Sequence, residues 1–186
     1  MDGQILLLIQ EYIRNPILDP IMIFITTLGN GGIFWILLTL VLLLNKRTRH
    51  LGITCALSLI LMLFINNIFI KNIVARTRPY EVIEGLTILV SKPVDFSFPS
   101  GHTASSFAVA VVLMKECKSK WKYAALVLAI LIAFSRLYVG VHYPTDVLGG
   151  LILGTLYAFI AMFIINRIKF PDKLFGIELG LNKNDE

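Results

Sequence analysis

The sequence predicts an all-α fold, a polytopic bundle of about five to six transmembrane helices with a short interfacial helix at the N-terminus. Hydrophobic residues make up 56% of the 186 residues, which is typical of a polytopic membrane protein. Mean hydropathy is +0.78, and several apolar runs approach the roughly 20 residues that a helix needs to cross a bilayer. We expect residues 1–186 to form a single integral membrane domain.

The first third of the chain contains a short helix and an interrupted apolar run. Residues 4–15 are predicted to lie in the membrane interface, because polar side chains interrupt a segment too short to cross the bilayer. The apolar stretch 17–44 is divided by Gly29-Asn30-Gly31-Gly32. We expect Ile33 to Leu44 to belong to the first span. The part before the glycines crosses the membrane separately only if it is joined in one helix to the residues before Asn15. Pro16 and Pro20 interrupt such a helix.

Four further spans are predicted from the apolar runs that follow. Residues 51–70 form the clearest one, since about twenty helical residues cover about 30 Å, the thickness of the hydrocarbon core. Pro79 is expected to end this helix, and a polar loop is expected from residue 80 to 98. The remaining spans are residues 100–114, 123–139 and 147–168. The charged tail from Asp172 is predicted to be frayed.

Lysines and arginines between the spans predict the orientation in the membrane. One face receives Lys46, Arg47, Arg49, Lys115, Lys118, Lys120, Lys122, Arg167, Lys169 and Lys173. The positive-inside rule makes that face cytoplasmic. Three other polar clusters, at residues 71–79, 99–102 and 135–146, then meet at the opposite face. We therefore expect a multi-pass protein of the cell membrane whose functional site lies on the extracytoplasmic side.

The net charge and the cysteines restrict the partners. The formal net charge is +5, but the basic residues form short clusters between apolar runs, which favours anionic lipid over nucleic acid. Cys55 lies in an apolar run and Cys117 in a lysine-rich loop, so both are expected to be plain thiols. The cysteine spacing predicts no metal site, and we expect no cofactor. The sequence does not define an oligomeric state.

The segment from Ser135 to Asp146 carries an arginine, a histidine and a carboxylate within twelve residues. Asp146 follows His142 by four residues. If a helix begins near Pro144, its first turn holds a carboxylate that fixes the imidazole tautomer and leaves the other ring nitrogen free to attack. A single His-x-x-x-Asp is more often structural, so this interpretation depends on the other clusters.

Basic side chains form the second cluster. Lys71 and Arg78 are seven residues apart, about two helical turns, and are expected to face a common ligand from one side of a helix. Arg136 adds a third cation, and the planar guanidinium matches phosphate oxygens well. Taken alone, such cations are more often anchors in lipid headgroups. Arg76 is assigned that anchoring role.

The third cluster is Pro99-Ser100-Gly101-His102. Ser100 suits a helix N-cap, Gly101 allows close approach of the backbone, and the free N–H groups of a helix start bind phosphate. His102 follows directly and is placed to protonate a departing oxygen. Alone, it would more often be an interfacial polar residue. Together, the three clusters contain the groups needed for phosphoryl transfer.

These clusters resemble the type 2 phosphatidic acid phosphatases, which share a site with the vanadium haloperoxidases. The matching segments are Lys71 to Pro79, Pro99 to His102 and Ser135 to Asp146. The resemblance implies a metal-independent reaction in which His142 forms a phosphohistidine, Asp146 orients it and His102 protonates the leaving group. It also implies a set of phosphate-binding residues: Lys71, Arg78, Ser100, Gly101 and Arg136.

The sequence thus predicts an integral membrane lipid phosphatase that hydrolyses a phosphomonoester or diphosphate headgroup. Undecaprenyl diphosphate, phosphatidylglycerophosphate and phosphatidate are left open as substrates. The alternative is a non-enzymatic anion-binding or transport protein, but such a protein would carry ionisable groups deep within its spans. A haloperoxidase is disfavoured by the membrane composition. The expected partners are a phosphorylated lipid and the bilayer, with no nucleic acid.

Overall fold

The computed structural model describes residues 2–168, and every regular element within that range is a helix. Helix α1 spans Asp2–Leu8 and continues as a π-helical turn over Ile9–Ile13. The short N-terminal helix is therefore present, but it packs against protein, since Leu6 is fully buried beside Tyr143. The predicted frayed tail lies outside the described residues.

Helices α2 (Leu18–Leu28) and α3 (Ile33–Leu44) are joined by a short 3₁₀ turn at Asn30–Gly32. The chain bends by 46° at this break. Gly31 and Gly32 have φ of 59° and 69°, in the left-handed region that glycine adopts without strain. The two helices together are long and apolar enough for one crossing. The segment before the glycines thus fits as the first half of a bent span.

The next span combines three helical segments. Helix α4 (Arg49–Leu61) passes into a π-helical stretch, Met62–Ile70, and then into α5 (Lys71–Val74). The chain leaves the helix at Ala75, whose φ is 46°. The prediction that Pro79 ends this helix is therefore wrong. That proline instead begins the short helix α6 (Pro79–Val82), at a first-turn position where its missing N–H costs nothing.

Three long helices complete the bundle: α7 (Gly101–Glu116), α8 (Trp121–Tyr138) and α9 (Pro144–Arg167). Helix α7 is the central one, with ten buried residues. Helix α9 approaches it very closely, because a Cβ atom on Gly154 would lie 2.4 Å from the carbonyl oxygen of Ala104. Gly150 and Gly154 of α9 both lie against the backbone of α7 and serve helix packing.

The number of crossings follows from helix length and position. Three segments are long and apolar enough to span a bilayer, namely Arg49–Val82, α8 and α9, and the bent α2–α3 pair makes a fourth. Helix α7 has only 16 residues. It nevertheless connects the same two levels, beginning beside Asp146 and ending with Glu116 beside His50. By length and composition the described residues hold three spans, or four when the bent pair counts as one. The predicted fold class, an all-α membrane helix bundle, is confirmed.

Candidate active site

One end of the bundle contains a cavity of about 930 Å³. Six of the residues singled out in the sequence line it: Lys71, Arg78, Gly101, His102, Arg136 and His142. Ser100 and Asp146 lie behind the cavity wall and are completely buried. The three polar segments, which are far apart in the chain, therefore meet at one site.

Lys71 and Arg78 converge on the carboxylate of Asp95. The Lys71 ammonium donates to Oδ2, while Nη2 of Arg78 donates to Oδ1 at 2.6 Å. The prediction that Lys71 and Arg78 share one side of a helix is wrong, because the helix ends at Val74 and Arg78 lies beyond it. A turn of the chain brings the two cations together. Burial alone would raise the pKa of Asp95, but hydrogen bonds and charges from both cations lower that pKa to about 2.

His142 is 1% exposed, and the contacts of its ring define the tautomer. Nε2 lies 3.4 Å from Nη1 of Arg78. A guanidinium only donates, so Nε2 must carry a lone pair and the proton resides on Nδ1. Nδ1 faces Oδ2 of Asp146 at 3.4 Å without completing a hydrogen bond. Burial lowers the pKa of His142 to about 3 against the opposing effect of Asp146, so the ring is neutral at pH 7.

Asp146 lies in the first turn of α9, where Pro144 begins the helix as predicted. Its Oδ2 accepts hydrogen bonds from Ser97 Oγ and from the Tyr143 backbone N–H. Its Oδ1 lies 2.6 Å from Nη1 of Arg76. The expectation that Arg76 anchors the helix end in headgroups is therefore wrong. The sequence carried no signal for this pair, because 70 residues separate the two positions.

His102 stands at the start of α7 and is held by the glycine break between α2 and α3. Its Nε2 lies 2.9 Å from Oδ1 of Asn30. The backbone of Gly29 lies against the ring, since a Cβ atom there would be 2.6 Å from Cδ2 of His102. Sequence reasoning treated this break only as an interruption of a span. In the structure, the break forms the wall that fixes the orientation of His102.

Ser100 and Gly101 form the N-terminus of α7. The Ser100 hydroxyl accepts a hydrogen bond from the Thr103 backbone N–H at 3.4 Å, so the predicted N-cap is present. Ser100 is buried and is not among the residues that line the cavity, so a contact of Ser100 with phosphate stays a prediction. Gly101 does reach the cavity, because a Cβ atom there would lie 3.9 Å from Nζ of Lys71.

Arg136 is 4% exposed and presents an unused donor. Its Nη1 donates to Oγ1 of Thr26 at 2.5 Å. Its Nε has no hydrogen-bond partner among the described residues. A buried donor without an acceptor costs free energy, which a bound anion would recover. The cavity therefore joins two histidines and three basic side chains with capacity for an anion.

Two histidines beside a phosphate-sized cluster of cations, at one end of an apolar helix bundle, are the elements of an integral membrane phosphatase. A family model for the PAP2 superfamily matches residues 51–170. An undecaprenyl-diphosphatase from Sulfolobus acidocaldarius is 34% identical over 153 residues, covering 82% of this chain and 73% of that protein. The chain belongs to the PAP2 superfamily.

Two solved structures have the same fold. The crystal structure of Aquifex aeolicus LpxE has a TM-score of 0.76 at 29% identity and covers 87% of this chain and 94% of its own. A transmembrane PAP2-type phosphatidylglycerolphosphate phosphatase from Bacillus subtilis has a TM-score of 0.72 at 32% identity, with coverage of 91% and 87%. The predicted resemblance and the predicted class, a membrane lipid phosphatase, are confirmed.

Proposed function

We propose that this protein hydrolyses a polyprenyl diphosphate of the undecaprenyl type, releasing inorganic phosphate and leaving the lipid monophosphate. The observation that carries the proposal is the continuity of the cavity. At one end it holds the cations and histidines, and from there it extends between α3 and α4 along Ile36, Leu40, Ala56 and Ile60.

The groove between α3 and α4 suits a hydrocarbon chain. Ile36, Leu40 and Ile60 line the cavity and are 44%, 48% and 51% exposed, so their apolar side chains are accessible to a hydrocarbon chain. The lining continues to Leu43 near the far end of α3. From Gly32 to Leu43 the helix rises about 16 Å. A lipid whose headgroup contacts the cations would have its chain beside these residues.

The geometry supports a two-step reaction. Nε2 of His142 attacks the terminal phosphorus, the bond from phosphorus to the bridging oxygen breaks, and His102 gives that oxygen a proton. Water then attacks the phosphorus of the phosphohistidine while His102 takes a proton from that water, the bond from phosphorus to Nε2 breaks, and inorganic phosphate leaves. Lys71, Arg78 and Arg136 would stabilise the charge that develops on the phosphoryl oxygens, together with the backbone N–H of Gly101 at the start of α7.

The relatives support this substrate class and a second candidate. The Sulfolobus acidocaldarius protein is named an undecaprenyl-diphosphatase, which favours the diphosphate. The Bacillus subtilis neighbour is described as a phosphatidylglycerolphosphate phosphatase, which favours a phosphomonoester on a two-chain lipid. Both would present a terminal phosphate to the same cations. The charge pattern of the loops supports a site on the extracytoplasmic face of the cell membrane.

Phosphate release from a panel of lipids tests the proposal. Purified protein in detergent with EDTA should release phosphate fastest from undecaprenyl diphosphate, and more slowly from phosphatidylglycerophosphate and phosphatidate. Ala56→Trp should fill the groove and lower kcat/KM for undecaprenyl diphosphate at least about tenfold. Hydrolysis of a short-chain prenyl diphosphate should change less than about twofold, because its chain does not reach that part of the groove.

Val127→Trp is the matched control, since Val127 lies on α8, is 56% exposed and does not line the cavity. It should leave both substrates unaffected. Fastest release from phosphatidylglycerophosphate would support the second candidate. A wild-type protein that released phosphate from no lipid would contradict the proposed function.

Asp95 is expected to compete with phosphate for the cations. Because its pKa is about 2, it stays ionised throughout the range from pH 4 to 8, so the competition persists over that range. Asp95→Asn removes the charge while keeping the shape, and should lower the inhibition constant of inorganic phosphate about three- to tenfold. Competitive inhibition by phosphate at pH 7 measures this effect.

Glu84→Gln is the control for Asp95, because Glu84 is an exposed carboxylate of the same loop. It should leave the inhibition constant unchanged. If Asp95→Asn instead weakened phosphate binding, the carboxylate would be required to hold Lys71 and Arg78 in place, and the competition argument would be wrong.

A further inference from the structure

Arg76 lies inside the segment from Lys71 to Pro79, at a position to which the family resemblance assigns no role. It nevertheless makes several close contacts. Its Nη1 lies 2.6 Å from Oδ1 of Asp146 and 2.7 Å from Oγ1 of Thr145. Its guanidinium carbon stands 3.9 Å from the ring centroid of Tyr143. A headgroup anchor would point its donors outward, whereas these contacts point inward.

The contact with Asp146 matters because that carboxylate is 0% exposed. A buried carboxylate is costly unless its charge is paired and its oxygens are hydrogen-bonded. Oδ2 is engaged by Ser97 and the Tyr143 N–H and faces His142. Oδ1 receives only the Arg76 guanidinium among the hydrogen bonds found in the described residues. Among the described residues, Arg76 therefore supplies the hydrogen bond at Oδ1 and the positive charge beside that oxygen.

The other side of Arg76 contacts the N-terminal helix. Its Nη2 lies 3.1 Å from Oδ2 of Asp2, and Thr145 also donates to that oxygen. Leu6 of α1 is fully buried in the cluster that includes Tyr143. A continuous chain of contacts thus runs from α1 through Arg76 to Asp146 and on to the imidazole of His142.

We propose that Arg76 is a positioning residue for the reaction: it fixes Asp146 so that Oδ2 stays directed at Nδ1 of His142, and it couples α1 to the nucleophile. This inference rests on the proposed function in that His142 is taken as the nucleophile. Arg76 acts through Asp146 and does not touch the phosphate, since it does not line the cavity.

Several other charged groups face His142 and have to be kept constant in any test. They come from four elements packed around it: Asp146 on α9, Arg78 after α5, Arg136 on α8 and His102 on α7. A substitution at Arg76 leaves all four residues in the chain, and Asp146 is the one among them that Arg76 contacts. A change in the tautomer of the His142 ring in an Arg76 variant would therefore indicate that Asp146 has lost the orientation set by the guanidinium.

The test compares Arg76→Gln with Arg76→Lys. Glutamine should lower kcat about 10- to 100-fold while KM changes less than about threefold, because misplacement of the nucleophile affects turnover more than binding. Lysine keeps the charge but donates from a single nitrogen, and should restore part of the loss. The second measurement is nitrogen NMR of ¹⁵N-histidine-labelled protein in detergent. The chain has only three histidines, so single His→Ala variants assign each signal.

The NMR measurement gives a readout that a merely structural role would not change. In the wild-type protein at pH 7, His142 should be a single Nδ1–H tautomer. In Arg76→Gln, the released carboxylate should allow a mixture with the Nε2–H tautomer. Arg14→Gln is the matched control, because Arg14 donates to Tyr138 O at 2.7 Å and Thr87 O at 2.9 Å at the same end of the bundle. That variant should lose thermal stability and keep the wild-type tautomer.

The outcomes separate this inference from the proposed function. If the wild-type protein hydrolysed no lipid, the proposed function would fail while the tautomer comparison would still decide the role of Arg76. If the wild-type protein were active and Arg76→Gln matched Arg14→Gln in both kcat and tautomer, the positioning role would be overturned.

Discussion

His142→Ala is expected to reduce phosphate release by at least about 10³-fold, because it removes the atom to which the phosphoryl group would be transferred. Nε2 of this ring carries a lone pair, directed toward Arg78 at 3.4 Å, and no other neutral imidazole is aligned by a buried carboxylate within residues 2–168. Initial rates with undecaprenyl diphosphate measure the loss. The wild-type protein quenched in alkali during turnover of terminally ³²P-labelled substrate should retain label on histidine.

His50→Ala is the matched control for this experiment. His50 lies near Glu116 at the other end of the bundle, with a separation of 3.9 Å, and its replacement should leave the rate unchanged. The His142→Ala variant should unfold at a temperature close to that of the wild-type protein. Label retained in His142→Ala, or a rate above about a tenth of the wild type, would show that His142 is not the nucleophile.

Gly154→Ala is expected to produce the largest loss of stability. The added Cβ atom would lie 2.4 Å from the Ala104 carbonyl oxygen and 3.1 Å from its carbonyl carbon. These are backbone atoms of the central helix α7 and cannot move aside as a flexible side chain would. Overpacking of this kind costs about 3 kcal/mol. For a chain of this size that corresponds to a fall in Tm of roughly 6 to 12 °C.

The protein contains a suitable probe for this measurement. Cys55 and Cys117 are both buried free thiols, so a thiol-reactive dye reports unfolding in detergent. Ile152→Ala is the control, since Ile152 lies on the same helix and is 63% exposed. Its Tm should change by no more than about 2 °C. A Gly154→Ala variant as stable as that control would show that α7 and α9 can separate without cost.

The sequence was sufficient to predict the helix bundle and the residues that gather at one end of it. Apolar runs of spanning length and the spacing from His142 to Asp146 are local patterns, and local patterns can be read along a chain. The proline at the start of α9 is such a pattern. The convergence of Lys71 and Arg78 was expected for the wrong reason, because the left-handed turn at Ala75 has no residue-type signal.

The contacts that sequence reasoning missed are all long-range. Arg76 reaches Asp146 across 70 positions, and His102 reaches Asn30 across 72. Asp95 lies in a loop whose composition distinguishes none of its carboxylates, and only the fold brings it to two cations. Each of these partners is an ordinary polar residue of a loop or helix end. Only the packed helix bundle shows which of these polar residues contact the site.

The π-helical stretch at Met62–Ile70 makes the direction of the Lys71 side chain depend on the number of residues in that stretch. Each residue of an α-helix turns the chain by about 100°, and π-type hydrogen bonds accommodate an extra residue within an otherwise regular helix. Lys71 follows directly after this stretch. The stretch therefore sets the angular phase at which the lysine emerges. Loss of one residue from it would return the helix to α geometry and turn the ammonium group of Lys71 away from Asp95.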